Sequence, residues 1–225
     1  MKPCIAAILS ALFMLSAEPT GQPQRQGALP NVLIIGDSIS IGYMKPLEVL
    51  LKEKANVVHN PGNAAHSGNG LAKIDEWLGD TKWDVIHFNH GLHDLKYVGE
   101  DGKNISTKEG GHIQVPVEKY KENMEAIVAR LKKTGGKLIF ATTTPYPDKV
   151  EGPLREKDDA ERYNAVALDI MKRNEVAIDD LYTFTLPRLN ELQMPNNVHF
   201  TEEGSKVLAE EVAKSIELAL PKQTS

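Results

Sequence analysis

The chain has 225 residues, 41% of them apolar and 25% charged, a size and balance that fit one globular domain with its own core and exclude a fibre or a repeat array. With 31 acidic against 26 basic residues, a net charge of −5 and no basic cluster, it has no electrostatic footprint for nucleic acid or for anionic lipid. Charge alone points to a neutral or positively charged substrate.

At the N-terminus, Met1-Lys2-Pro3-Cys4 carries one positive charge and leads into an apolar stretch over residues 5–15, which is too short to span a membrane. Ser16-Ala17 then offers a small-residue cleavage site before Glu18. Residues 1–17 are expected to be a signal peptide, residues 18–28 a flexible leader, and residues 29–225 a single domain, which makes the mature chain periplasmic or secreted with no membrane insertion. Cys4, the sole cysteine, leaves with the signal, so the mature domain forms no disulfide. It also precedes the apolar stretch, which disfavours a lipoprotein anchor. Loss of Lys2 leaves 25 basic residues against 31 acidic, a mature net charge of about −6.

From there the pattern alternates. Short apolar or β-branched runs at 32–35, 56–59, 85–89, 138–142 and 176–178 read as five strands. Between and after them, 46–54, 71–78, 117–133, 159–174 and 202–220 show apolar residues at three- and four-residue spacing, as amphipathic helices do. Gly135-Gly136 closes one of these helices. Strand and helix in alternation predict an α/β protein: a flavodoxin-like three-layer α/β/α sandwich with a five-stranded parallel sheet. Catalytic groups would then collect where the C-terminal ends of the strands meet their loops. Residues 98–116, rich in Gly and charge and without periodicity, read as a surface loop, either a substrate lid or a solvated insertion.

Ile35-Gly36-Asp37-Ser38-Ile39-Ser40 follows the apolar run Asn31-Val32-Leu33-Ile34 and puts a serine where the first strand turns into a helix. Ser38 there suits a nucleophile beside the free N–H groups of a helix start, and it equally suits a helix N-cap. A hydroxyl becomes a good nucleophile only when a base takes its proton. The candidate base is His199, in Pro195-Asn196-Asn197-Val198-His199-Phe200-Thr201, just before the last helical run.

These two segments resemble the SGNH (GDSL-type) hydrolases, which are serine esterases and lipases, and the resemblance spans residues 31–220. It implies strand order 2-1-3-4-5. It also implies an aspartate three residues before the histidine, a position held here by Asn196. An asparagine can accept the ring N–H but adds no charge to stabilise an imidazolium, and in a serine triad that exchange has cost roughly 10⁴ in turnover, part of it through a wrong tautomer. A backbone carbonyl of Pro195 or Asn196 is an alternative orienting group.

Three oxyanion donors are implied by the same resemblance: the Ser38 N–H, a glycine N–H after the second strand, and an asparagine side chain after the third. Gly68, in Asn63-Ala64-Ala65-His66-Ser67-Gly68, is the choice for the second, with Ala65 or Ser67 as alternatives. For the third, Gly91-Leu92-His93-Asp94 stands where the family has Gly-x-Asn-Asp, so His93 would donate as a neutral imidazole, its tautomer fixed by Asp94 or by a backbone group. The other reading of His93 is a packing or loop residue, and Asn89 is a fallback donor. Asp37, Asp94 and Tyr146 complete the expected substrate-facing set, Tyr146 from the loop Thr142-Thr143-Thr144-Pro145-Tyr146-Pro147.

Other motifs carry less. His87-x-x-His90-x-x-His93 has a metal-like spacing, but strand alternation separates the side chains and no carboxylate set completes a site. Gly135-Gly136-Lys137 lacks the spacing of a phosphate loop, so neither metal nor nucleotide cofactor is expected. Asn104-Ile105-Ser106 matches a glycosylation acceptor by pattern only. The expected function is exported serine esterase, removing a small acyl group such as acetyl from a carbohydrate. Alternatives are a hydrolase of longer lipid or thioester acyl chains and a catalytically weakened relative that binds glycans. Nothing in the sequence indicates an oligomeric state.

Overall fold

The computed structural model describes Met1 and residues 29–222, so the expected signal peptide, Met1 apart, and the whole expected leader lie outside the described residues. In chain order the elements are β1 (Asn31–Ile35), α1 (Ser38–Leu51), β2 (Asn56–His59), α2 (Ser67–Leu78), β3 (Val85–Phe88), β4 (Tyr97–Gly99), β5 (Gly111–Ile113) and α3 (Val117–Lys132). They continue with β6 (Lys137–Ala141), α4 (Asp159–Asn174), β7 (Ala177–Asp179), α5 (Leu181–Thr185), a 3-10 turn (Leu186–Arg188), α6 (Leu189–Leu192) and α7 (Glu202–Ala219).

The main sheet runs β2-β1-β3-β6-β7 with every pair parallel, which is the expected order 2-1-3-4-5 counted over its own strands. Strand side chains alternate between faces. Leu33 and Ile35 of β1 therefore join one core with Ile86, Phe88, Phe140 and residues of α2, α3 and α4. Val32 and Ile34 join the other, with Tyr43, Leu47, Leu208, Val212 and Ile216 of α1 and α7. A strand buried on both faces reads as a continuous apolar run, and β1 is one.

Three elements differ from their sequence expectations. Helix α1 starts at Ser38 and runs through Pro46, where the proline reads as a helix start. Burial of Tyr43, Met44, Leu47 and Leu51 along one face keeps the helix intact past a residue that cannot donate. Helix α2 likewise starts four residues early, at Ser67, because its first turn is served by side chains from outside it. Residues 98–116 are no plain loop: β4 and β5 form an antiparallel hairpin with Val98 buried. Among the described residues no helix is long and apolar enough to cross a membrane.

The first turn of α2 is tied to the loop after β3. Asp94, fully buried, accepts the Ser67 N–H at 2.9 and 3.1 Å and the Ser67 hydroxyl at 2.5 Å, while Asn123 of α3 donates to that hydroxyl at 3.0 Å. Burial pushes the Asp94 carboxyl up to about 7 against hydrogen bonds that pull it down. A carboxyl raised on folding holds its proton longer in the native state, so its ionisation weakens the fold as pH climbs from about 4 towards 7. Asp94→Ala should cost about 1–3 kcal/mol by stranding the Ser67 donors. Urea unfolding of the wild type and the variant should show a larger gap at pH 5 than at pH 8, and a gap that widens with pH would contradict this account.

Candidate active site

The five parallel strands deliver their C-terminal ends to one edge, where the loop after β1 holds Gly36 and Asp37 ahead of α1. Asp37, not Ser38, is the N-cap: its carboxylate accepts the Ile39 N–H at 2.9 Å. That leaves Ser38 as the first helical residue, half-exposed, its own N–H among the first-turn donors that no helical carbonyl reaches. Burial raises the Asp37 carboxyl, partly offset by that capping bond and by the charges of Arg155 and His199. The turn is braced from β2's loop: Gly36 N–H donates to Asn60 Oδ1 at 2.8 Å, and Ala64 N–H to the Gly36 carbonyl at 2.9 Å.

His199 reaches Ser38 across 161 positions of chain, Nε2 to Oγ at 2.9 Å. Its Nδ1 lies 2.7 Å from Asn197 Oδ1, and the same oxygen accepts the His199 backbone N–H at 3.0 Å. A backbone N–H can only donate, so the atom facing it is the amide oxygen, and the ring nitrogen bonded to that oxygen carries the proton. Nε2 is thereby left with a lone pair aimed at the serine hydroxyl. This is the tautomer a general base needs.

Asn196, the residue expected to orient the ring, is corrected to Asn197. Asn196 takes a left-handed conformation at φ 54° and is exposed, and its carbonyl accepts the Glu151 N–H at 2.7 Å. The reversal of the chain there turns the next side chain back over its own backbone two residues on, an Asx turn. The paired Asn196-Asn197 carried that signal in the sequence, but family spacing pointed to the wrong member of the pair.

His93 sits beside the serine turn, its Nε2 3.9 Å from Asp37 Oδ2. Burial and the neighbouring Lys96 and Arg155 cations push its ring down to about 3, so it is neutral at any working pH. Lys96 Nζ approaches His93 Nδ1 at 3.4 Å. An ammonium has only hydrogens to offer, so Nδ1 is the acceptor and Nε2 carries the proton towards the site. Lys96 therefore does what was expected of Asp94, whose oxygens are turned into Ser67.

The remaining expected residues have other partners. Gly68 lies in the first turn of α2 facing His66 and Asn123, and the residue of that loop whose backbone meets the serine turn is Ala64. Tyr146, expected to face substrate, donates its hydroxyl to the Glu156 carbonyl at 2.7 Å and packs on the core, which anchors its loop. Asp37 is occupied as a cap, Asp94 as a strut. Asn89 donates to the Ala141 carbonyl at 2.7 Å. The spaced histidines part company: His87 meets Asp179 at 2.9 Å, His90 the Ala65 carbonyl at 3.3 Å, and His93 Lys96.

A small cleft is lined by Asp37 and Ile39, the two neighbours of Ser38, and by Ser40, Tyr43, Asn89, Leu92 and the threonines 142–144, while Ser38, His93 and His199 stand outside its lining. The nucleophile turn, a base held in the correct tautomer, and a neutral N–H donor beside them together form a constellation able to deprotonate a hydroxyl next to a polarised carbonyl.

Residues 34–207 match the GDSL-like lipase/acylhydrolase family model. A GDSL esterase/lipase of Arabidopsis thaliana is 23% identical over 215 residues, covering 83% of this chain and 85% of that protein. Among solved structures, the lipase/acylhydrolase from Enterococcus faecalis superposes with a TM-score of 0.69 at 17% identity, over 88% of this chain and 100% of that one. An acetylxylan esterase from Geobacillus stearothermophilus gives 0.67 at 16% identity, over 86% and 97%. The sheet order and the extent of the family match agree, and the chain belongs to the GDSL-like lipase/acylhydrolase family of ester hydrolases.

Proposed function

We propose that the protein is an exported serine esterase that removes a small acyl group, acetyl foremost, from a carbohydrate. The observation that carries the mechanism is the relay from Asn197 Oδ1 through the His199 ring to Ser38 Oγ, at 2.7 and 2.9 Å. The small acyl group is supported by the acetyl esterases among the structural neighbours. The sugar is supported by acetylxylan esterases among the structural neighbours, and export by the signal-like stretch over residues 1–17.

In this reading His199 Nε2 takes the Ser38 proton as Oγ attacks the ester carbonyl carbon. The Ser38 N–H and His93 Nε2–H stabilise the oxyanion. Collapse of the tetrahedral intermediate breaks the bond to the alcohol, which leaves with the proton from His199. Water then attacks the acyl-serine, gives a proton to His199, and the acid departs as Ser38 regains its hydrogen.

Ser38→Ala should abolish release of acetate from acetylated xylo-oligosaccharides, and retained turnover in the purified variant would overturn the proposal. Asn197→Ala should lower kcat by about 10² or more, whereas Asn196→Gly, compatible with the left-handed backbone, should leave kcat within about twofold. Equal effects at the two positions would remove Asn197 from the relay. His93→Ala should cost about 10²–10³ in kcat, the worth of one oxyanion donor. Because His93 stays neutral down to about pH 3, the pH profile of kcat/KM in that variant should keep the shape of the wild type, and a lost limb would assign His93 to proton transfer instead.

A further inference from the structure

Behind His93 lies a group of cations that the esterase mechanism does not use. Lys96 is 8% exposed, and its ammonium approaches the neutral ring of His93. Arg155, half-buried, donates Nε to the Leu92 carbonyl at 3.2 Å and Nη1 to the Pro153 carbonyl at 3.2 Å. Neither forms an ion pair with a carboxylate among the described residues. His66, also half-buried, accepts the Asn69 N–H on Nδ1 at 3.3 Å and so adds no negative charge.

The nearby carboxylates have other hydrogen-bond partners, although the Asp37 charge is also felt by Arg155. Asp94 is bonded to Ser67, Asp37 caps α1, and Glu156, next to Arg155, pairs with Lys108 at 2.8 Å. Buried cations are ordinarily paired, because removal from water without a counter-charge costs several kcal/mol. Burial and then the charge of Arg155 lower the affinity of Lys96 for its proton, and burial lowers that of Arg155, partly offset by Tyr146 and the Asp37 charge.

Backbone bonds hold the cluster in place. Tyr97 N–H donates to the Leu154 carbonyl at 2.9 Å and Leu154 N–H to the Ile105 carbonyl at 2.7 Å, so the hairpin of β4 and β5, with its connecting loop, clamps the loop segment that carries Arg155. Glu151 N–H joins the same segment to Asn196, on the loop of His199. The distance chain to the nucleophile is short: Lys96 to His93 at 3.4 Å, His93 to Asp37 at 3.9 Å, then Ser38 next in sequence.

We propose that Lys96 and Arg155 receive an anionic group, a carboxylate or a phosphate, on the alcohol part of the ester, so that the enzyme acts on acetyl esters of acidic sugars or polyols. This rests on the esterase reading above, in which the acyl part is small and the alcohol part extends from the site. The net charge of −5 pointed to a neutral or cationic substrate, but charges several Debye lengths apart on the surface are screened, while the buried Lys96 and the half-buried Arg155 are screened far less. An incoming oxyanion would complete the pairing that the fold leaves open.

The test uses matched esters. For the carboxylate source, acetylated methyl glucuronoside is compared with acetylated methyl glucoside, and for the phosphate source, 1-acetyl-glycerol 3-phosphate with 1-acetyl-glycerol. The expected result is a kcat/KM about tenfold or more higher for an anionic member, one charge-assisted hydrogen bond's worth. The arm showing the preference identifies the anion. The preference should shrink in 0.5 M NaCl, should fall in Arg155→Gln and should recover in large part in Arg155→Lys. Salt dependence in the wild type keeps the test decisive should the Arg155→Gln protein not fold. Ser38-dependent cleavage of all four esters with no anionic preference would overturn this inference and leave the esterase reading standing. Failure to cleave any of them would overturn both.

Discussion

One amide oxygen sets the state of the whole site. Asn197 Oδ1 accepts the backbone N–H of His199 and the ring N–H of the same residue, and the first bond decides the second. Without the backbone donor the amide could turn its NH₂ to the ring, Nδ1 would become the acceptor, and Nε2 would present a hydrogen to Ser38 where a lone pair is needed. The part of the asparagine penalty that comes from a wrong tautomer is thus absent by geometry. What an amide still lacks is the negative charge that would favour the imidazolium in the transition state.

The same logic of one-sided hydrogen bonding runs through the surroundings. Lys96 has only hydrogens to give, so it settles the tautomer of His93 as the His199 N–H settles that of His199. Ser40, two residues from Ser38, also touches a histidine, His59 Nε2 at 2.7 Å, yet it is buried and its hydroxyl donates to the Asp37 carbonyl at 2.7 Å. A serine beside an imidazole is therefore not sufficient. Ser38 differs in being half-exposed as the first helical residue; the second ring nitrogen is engaged in both pairs, His59 Nδ1 meeting the Asn60 carbonyl at 2.7 Å.

Sequence reasoning read the architecture well because its signals are local and repeated. Strands buried on both faces, such as β1, leave apolar runs, and α3 and α4 leave periodic ones, so order and layering followed with the family likeness. Ser38 and His199 were legible for a related reason: each stands at a strand or helix junction that short motifs mark. Side-chain partners were not, because they depend on which way a tight turn throws a residue. Asn196 and Asn197 are adjacent and chemically identical, and only the left-handed φ at Asn196 decides that Asn197 meets the ring. Asp94 and Tyr146 looked substrate-facing from their loops, but burial enlisted both to satisfy backbone or hydroxyl groups.

Charge shows the same gap between chain and site. A net value sums groups that lie on opposite faces of a folded protein and that water and salt screen from one another. In the interior the relevant sum is taken over a few ångströms, and around His93 the two cations Lys96 and Arg155 outnumber the one close carboxylate, Asp37, while Asp94 and Glu156 are turned to other partners. Arg155 enters that sum only because backbone pairing between residues 97, 105 and 154 brings a distant stretch of chain against the loop after β3. The electrostatic character of the site is a product of tertiary structure, set by contacts between segments with no periodic mark in the sequence.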